Sequence, residues 1–300
     1  MRNLQPIIAF LYDCDLTLIP EYMQNPMLRS FGLEPEEFWR ETWTWIEQQA
    51  TLGVNLDPEN SYLNLFLKYV QEGRFPPLSN SQLREFGKTI VPFPGLPDFF
   101  KKLKLHIEHN PKYVEHGLKL ENYIISTGLK EMIVGSLLDD PEYVTGVYAS
   151  EFLEENGTIK GIARAVGHMK KTEFIHLINK GGNLNKDIDV NGKIAYEQRR
   201  VPFENMVYVG DGPTDVPCFA TINKRGGKSL AVYNPESEKA FKQACQLQSE
   251  GRVFTIGPAD FQPGSHIYRV MFHLAEQIAD RIVNDRREEL RTKIGPALRF

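Results

Sequence analysis

The apolar run Pro6-Ile-Ile-Ala-Phe-Leu-Tyr12, closed by Asp13 and Asp15, constrains this chain more than any other feature. An unbroken run of this length fits a strand buried on both faces, as in a parallel sheet. The carboxyl ends of such strands are where open α/β sheets place their ligands. The run is too short, and too acidic at its end, for a signal peptide or a membrane span. Comparable runs recur at Asn122-Tyr-Ile-Ile125 before Ser126-Thr-Gly128, at Asn205-Met-Val-Tyr-Val209 before Gly210-Asp-Gly212, and at Ser229-Leu-Ala-Val-Tyr233. Arg252-Val-Phe-Thr-Ile256 reads as a fifth strand. Helical patterns at Pro97–Leu105, Lys171–Asn179 and His266–Arg291 alternate with them, which predicts a parallel sheet covered on both faces.

Residues 21–90 break the alternation. Phe38, Trp39, Trp43, Trp45, Ile46, then Tyr62, Leu63, Phe66, Leu67, Tyr69 and Val70 recur at helical spacing with no strand-like run between them. The segment reads as a small helical domain inserted after the first strand, its far side bounded by Val91-Pro-Phe-Pro-Gly95. All three tryptophans lie in it, and packing within its core is the preferred reading over lining a site. Further on, Glu154-Glu-Asn-Gly157 predicts a hairpin within 151–167, and the polar, glycine-rich 181–200 an excursion at the sheet edge or a loop.

A formal net charge of −4 argues against nucleic acid as a main partner. Cys14, Cys218 and Cys245 form neither a disulfide framework nor a zinc pattern, so reduced thiols and a cytoplasmic setting are expected. Nothing in the sequence sets an oligomeric state.

Four signals then follow in order: Asp13-Cys14-Asp15-Leu16-Thr17, Ser126-Thr127-Gly128, the pair Lys170-Lys171 opening a helix, and Gly210-Asp211-Gly212-Pro213-Thr214-Asp215. Singly, each fits a plain structural role, since carboxylates cap helices and Gly-Asp-Gly makes turns. Jointly, they bring a nucleophile, a proton donor, a hydroxyl, a cation and metal-binding carboxylates to one sheet edge, the parts that phosphoryl transfer requires.

These motifs resemble those of the haloacid dehalogenase-like superfamily, in its phosphatase branch, over roughly residues 7–235. The helical insert resembles the cap of phosphoserine phosphatase-type members. The resemblance implies a Rossmann-like three-layer core (1–20 and 91–300) with an α-helical cap (21–90). It implies that Asp13 attacks phosphorus, that Asp15 protonates the leaving oxygen and then deprotonates water, and that Thr17 steadies the loop through its hydroxyl. Ser126, with Thr127 and Gly128, would bind the phosphoryl group. A lysine at 170 or 171 would neutralise its charge, and Lys171 is preferred because the family's lysine sits at the helix start. Mg²⁺ would be held by Asp13, Asp211 and the Asp15 carbonyl, with Asp215 orienting a metal-bound group. Glu21 is a candidate for a substrate amino group, although a helix-start carboxylate is its preferred reading. His168 lies near the lysines, but a surface or structural role is preferred for it as for the other histidines.

The implied reaction is hydrolysis of a small phosphorylated metabolite. Asp15 disfavours a dehalogenase, because a halide leaving group needs no acid. A phosphomutase, or a non-catalytic protein that binds phosphorylated ligands, is the alternative.

Overall fold

The computed structural model describes residues 4–294. Seven strands form one sheet in the order β4-β3-β2-β1-β5-β6-β7. The strands are β1 (Ile7–Tyr12), β2 (Lys119–Leu129), β3 (Val144–Glu155), β4 (Thr158–Arg164), β5 (Met206–Gly210), β6 (Lys228–Tyr233) and β7 (Thr255–Pro258). Only the β3–β4 pair is antiparallel. It is the hairpin expected from Asn156-Gly157, but β3 also pairs with β2 and so belongs to the main sheet. The fifth expected strand is displaced toward the carboxyl end, to Thr255–Pro258.

Period-two alternation along β1 sorts its side chains to the two faces of the sheet. Ile8, Phe10 and Tyr12 join one apolar cluster, while Ala9 and Leu11 join the other. The second cluster is completed by α8 (His168–Lys180) and α9 (Val216–Asn223). The first is completed by α5 (Asp98–Glu108), by α11 (His266–Ile294) and by the segment between β1 and β2. That gives the three-layer α/β architecture.

The segment from 21 to 90 carries four helices and no strand: α1 (Asn25–Ser30), α2 (Pro35–Thr51), α3 (Pro58–Gln71) and α4 (Asn80–Gly87). Phe38 of α2 and Leu63 and Phe66 of α3 are buried in the same apolar cluster as β1. Residues 181–200 form a loop with a single short 3-10 turn at Tyr196–Gln198. Among the described residues no helix is long and apolar enough to cross a membrane.

Strand order reverses at β1. The chain runs from β1 outward through β2 and β3, then returns to the other side of β1 as β5. Tyr12 pairs with Ile124 on one side and Val209 on the other. The residues that follow (Asp13, Ser126 and Asp211) therefore emerge together at the carboxyl edge, at the crevice where such sheets bind ligands.

Candidate active site

Asp13 follows β1 directly and its amide donates to Val209 O at 2.9 Å, which fixes it between β1 and β5. The chain then turns sharply. Thr17 N and Leu18 N donate to Cys14 O at 3.2 and 2.8 Å, and Leu16 takes a left-handed φ of 60°. A non-glycine residue held there is strained, a cost usually met at functional loops. Thr17 does not act as expected: its buried Oγ1 has no hydrogen-bond partner among the described residues. The loop is held by backbone bonds instead, which leave the hydroxyl nothing to close on.

Of the two lysines, Lys171 is the one that lies against the carboxylates. Its side chain is 0% exposed, with Nζ 2.8 Å from Asp13 Oδ1 and 2.8 Å from Asp215 Oδ1. Lys170 instead pairs with Glu173 at 2.6 Å on the surface. One helical position separates the two, and a rotation of about 100° per residue sends one inward and the other to solvent.

Asp13 Oδ1 also accepts the Cys14 N–H at 2.8 Å, and no protein donor reaches its other oxygen among the described residues. Burial, reinforced by the charge of Asp215, raises the Asp13 pKa against the opposing pull of Lys171. Asp15 Oδ1 accepts the Met23 N–H at 3.0 Å. Burial first, then the charge of Asp13, push the Asp15 carboxyl up to about 8, so that it holds a proton at neutral pH. Burial works against the Lys171 charge, yet Asp13 and Asp215 outweigh it and raise its pKa.

Asp215 is fully committed. Its Oδ1 accepts from Lys171 and from the Tyr208 hydroxyl at 2.8 Å, and its Oδ2 accepts the Asp211 N–H at 3.2 Å. Gly210 makes this approach possible, since a Cβ there would stand 2.3 Å from Asp215 Oδ2. Ser126 Oγ accepts the Gly128 N–H at 3.0 Å, which leaves its O–H free to donate. Gly128 is close-packed as well: a Cβ would come within 3.1 Å of Asp15 Oδ2.

Carboxylate oxygens of Asp13, Asp211 and Asp215 lie within 4.8 Å of one another. This all-oxygen set, with no cysteine or histidine in it, fits a hard divalent cation such as Mg²⁺. Asp215 also holds the lysine, with three accepted hydrogen bonds on its two oxygens. Asp211 itself has a raised pKa, from burial and then from the charges of Asp215 and Asp13.

Similarity to known proteins agrees with this geometry. No family model matches the sequence. A protein of Borreliella burgdorferi described as uncharacterized is 30% identical over 287 residues, covering 89% of this chain and 96% of that one. The chain belongs to the family of that protein. Among solved structures, a probable phosphoserine phosphatase from Vibrio cholerae superposes with a TM-score of 0.51 at 16% identity, over 93% of this chain and 68% of that chain. Cytosolic 5'-nucleotidase IIIB bound to cytidine does so at 0.50 and 13% identity, over 93% and 88%. At such identities the likeness is one of fold, the α/β fold shared with these two proteins.

Several residues of this site escape sequence reasoning. Tyr208 sits inside an apolar strand and reads as core, yet its hydroxyl holds Asp215. His168, partly exposed, pairs with Glu59 at 2.5 Å, the structural role preferred for it, and both line a cavity of about 610 Å³ beside Asp15. Trp39 and Trp45 are half-buried against the core, as expected; Trp39 also lines the same cavity, and only Trp43, 55% exposed, leaves the core to line it. Their four-residue spacing places Trp39 and Trp43 on one face of α2, which is the signal that could have paired them. Thr127 and Gly128 also line it. Glu21 does not: its carboxylate takes Arg29 at 2.7 Å and Asn25 Nδ2 at 3.1 Å.

Proposed function

We propose that this protein is a divalent-cation-dependent phosphomonoester hydrolase working through an aspartyl-phosphate. The observation that carries the reading is the state of Asp13. It stands at the strand end with one oxygen bound by Lys171 and Cys14 N–H and the other without a protein donor, two residues from Asp15, whose buried carboxyl is pushed up to about 8.

In this reading the open oxygen of Asp13 attacks phosphorus and the bond to the leaving oxygen breaks. Asp15 gives that oxygen its proton, so the alcohol departs neutral. Water then attacks the acyl phosphate, with Asp15, now ionised, taking its proton and restoring the starting state. Ser126 donates its O–H to a phosphoryl oxygen, and Lys171 offsets charge between Asp13 and the phosphate. Asp13 and Asp211 would hold Mg²⁺; the chemistry it supplies is neutralisation of the charge that otherwise repels a carboxylate from a phosphate dianion. Residues 21–90 are read as a cap that excludes bulk water, and the unpaired thiols Cys14 and Cys218 fit a reducing, cytoplasmic setting.

The test is release of inorganic phosphate from an aryl phosphate with Mg²⁺, for the native protein and for Asp13→Asn. Equal release by both would refute the covalent route. An isomerised sugar phosphate in place of free phosphate would make the protein a phosphomutase.

A further inference from the structure

Two cavities meet at Asp15. The smaller, of about 340 Å³, contains Asp13 and Asp211; the larger, of about 610 Å³, contains neither. Asp15, Tyr22, Thr127 and Thr214 line both. A phosphate in the smaller cavity would thus point its ester oxygen past the acid into the larger one. We propose that the larger cavity receives the alcohol of the ester and selects one that carries an organic cation, an alkylammonium group. This rests on the phosphatase reading above and names its substrate class.

The walls are aromatic. Tyr22 and Trp39 have ring centroids 5.0 Å apart, Trp39 and Tyr62 5.7 Å apart, and Trp43 lies one turn further along the same helix face. Aromatic faces attract alkylammonium groups within about 6 Å of the ring centroid, and several rings around one space suit a cation better than an anion.

The charges agree with the rings. Among the described residues no lysine or arginine lines the larger cavity. Glu59 and His168 neutralise each other at 2.5 Å, and Glu36 adds a further, exposed carboxylate. An alcohol bearing a carboxylate, such as that of a phosphorylated amino acid, would find no guanidinium fork or ammonium to meet it.

The pocket is read by calorimetric titration of the full chain with choline, ethanolamine, serine, a nucleoside and 3,3-dimethylbutan-1-ol, the uncharged isostere of choline. Choline or ethanolamine should bind about tenfold more tightly than the neutral isostere, equivalent to about 1.4 kcal/mol. Glu36→Gln and Trp43→Ala, both at exposed positions and so safe for folding, should each shrink the ratio. Equal affinity for choline and its isostere, or a preference for serine or the nucleoside, would overturn the assignment. Turnover is scored separately. Ammonium selectivity in a protein that cleaves no phosphate ester with Mg²⁺ would refute the phosphatase reading alone, whereas cleavage without that selectivity would refute the pocket assignment alone.

Discussion

Replacing Lys171 by methionine keeps the length and bulk of the side chain and removes only its ammonium. Lys171 and Asp215 are both fully buried, and the Nζ stands 2.8 Å from Asp13 and from Asp215. Without it, Asp215 keeps the Tyr208 hydroxyl and the Asp211 N–H, but no positive charge. Removing one partner of a buried pair costs about 3–5 kcal/mol, because the other charge stays behind uncompensated. For a chain of this length that is a fall in melting temperature of about 6–10 °C. The cost should also depend on pH. Lys171 opposes the burial that raises the Asp13 pKa, so its loss raises that pKa further above the unfolded value. Stability tied to a raised carboxyl pKa is present at low pH and lost as pH climbs through the folded value. The deficit of the variant should therefore be larger at about pH 7.5 than at about pH 5, in melts recorded in chelator. Lys170→Met is the control: its pair with Glu173 is exposed and worth about 0–1 kcal/mol. A Lys171→Met melt within about 2 °C of the native protein, or a deficit that does not change with pH, would refute the reasoning.

Asp13→Asn should still fold and release no phosphate, and acid quenching should trap no phosphoenzyme. Chelation should abolish turnover, and Ca²⁺ should inhibit, since its looser shell favours bidentate carboxylates and would occupy the attacking oxygen of Asp13; equal rates with Ca²⁺ and Mg²⁺ would count against this. Tyr208→Phe removes one hydrogen bond to the Asp215 carboxylate and should cost about 1.5–3 kcal/mol, read by denaturant unfolding. Mg²⁺ affinity should rise with pH, because burial raises the pKa of Asp13 and Asp211 and the cation must displace those protons; a flat titration from about pH 5.5 to pH 8 would contradict it.

The strands that end on the site are legible in the sequence, because an unbroken apolar run closed by carboxylates has the signature of a buried parallel strand meeting a polar crevice. Ile7–Tyr12 and Met206–Gly210 lie almost where their side chains place them. Asp13, Asp15, Ser126, Asp211 and Asp215 are legible for the same reason, each sitting at or just beyond such a run. What only tertiary contact creates is not. Tyr208 is chemically a core residue until Asp215 is seen beside its hydroxyl. Glu59 and His168 lie on different helices, and their pairing has no local signature. Trp43 departs from the expected core packing, while Trp39 meets both core and cavity, because an aromatic stripe has the same period whichever it faces. Thr17 carries the opposite lesson: its position matches the motif, but its hydroxyl meets no partner among the described residues.

The charges at the sheet edge make this site costly to build and useful once built. Asp13, Asp211 and Asp215 converge within 4.8 Å, and Lys171 is the ammonium that answers them. Asp215 commits both oxygens to Lys171, Tyr208 and the Asp211 amide, so it works as an anchor that holds the lysine against Asp13. Asp13 and Asp211 remain undercompensated, and burial lifts their pKa values as a result. Asp15 is raised by the same burial, to about 8, without an ammonium within hydrogen-bond reach. Burial lifts both carboxyls, Asp13 to about 7 and Asp15 to about 8, and the hydrogen bond from Lys171 goes to Asp13 alone. The ammonium therefore favours the ionised form at Asp13, the position from which attack would come. No local propensity in Asp13-Cys14-Asp15 makes that distinction; the lysine arriving from α8 does.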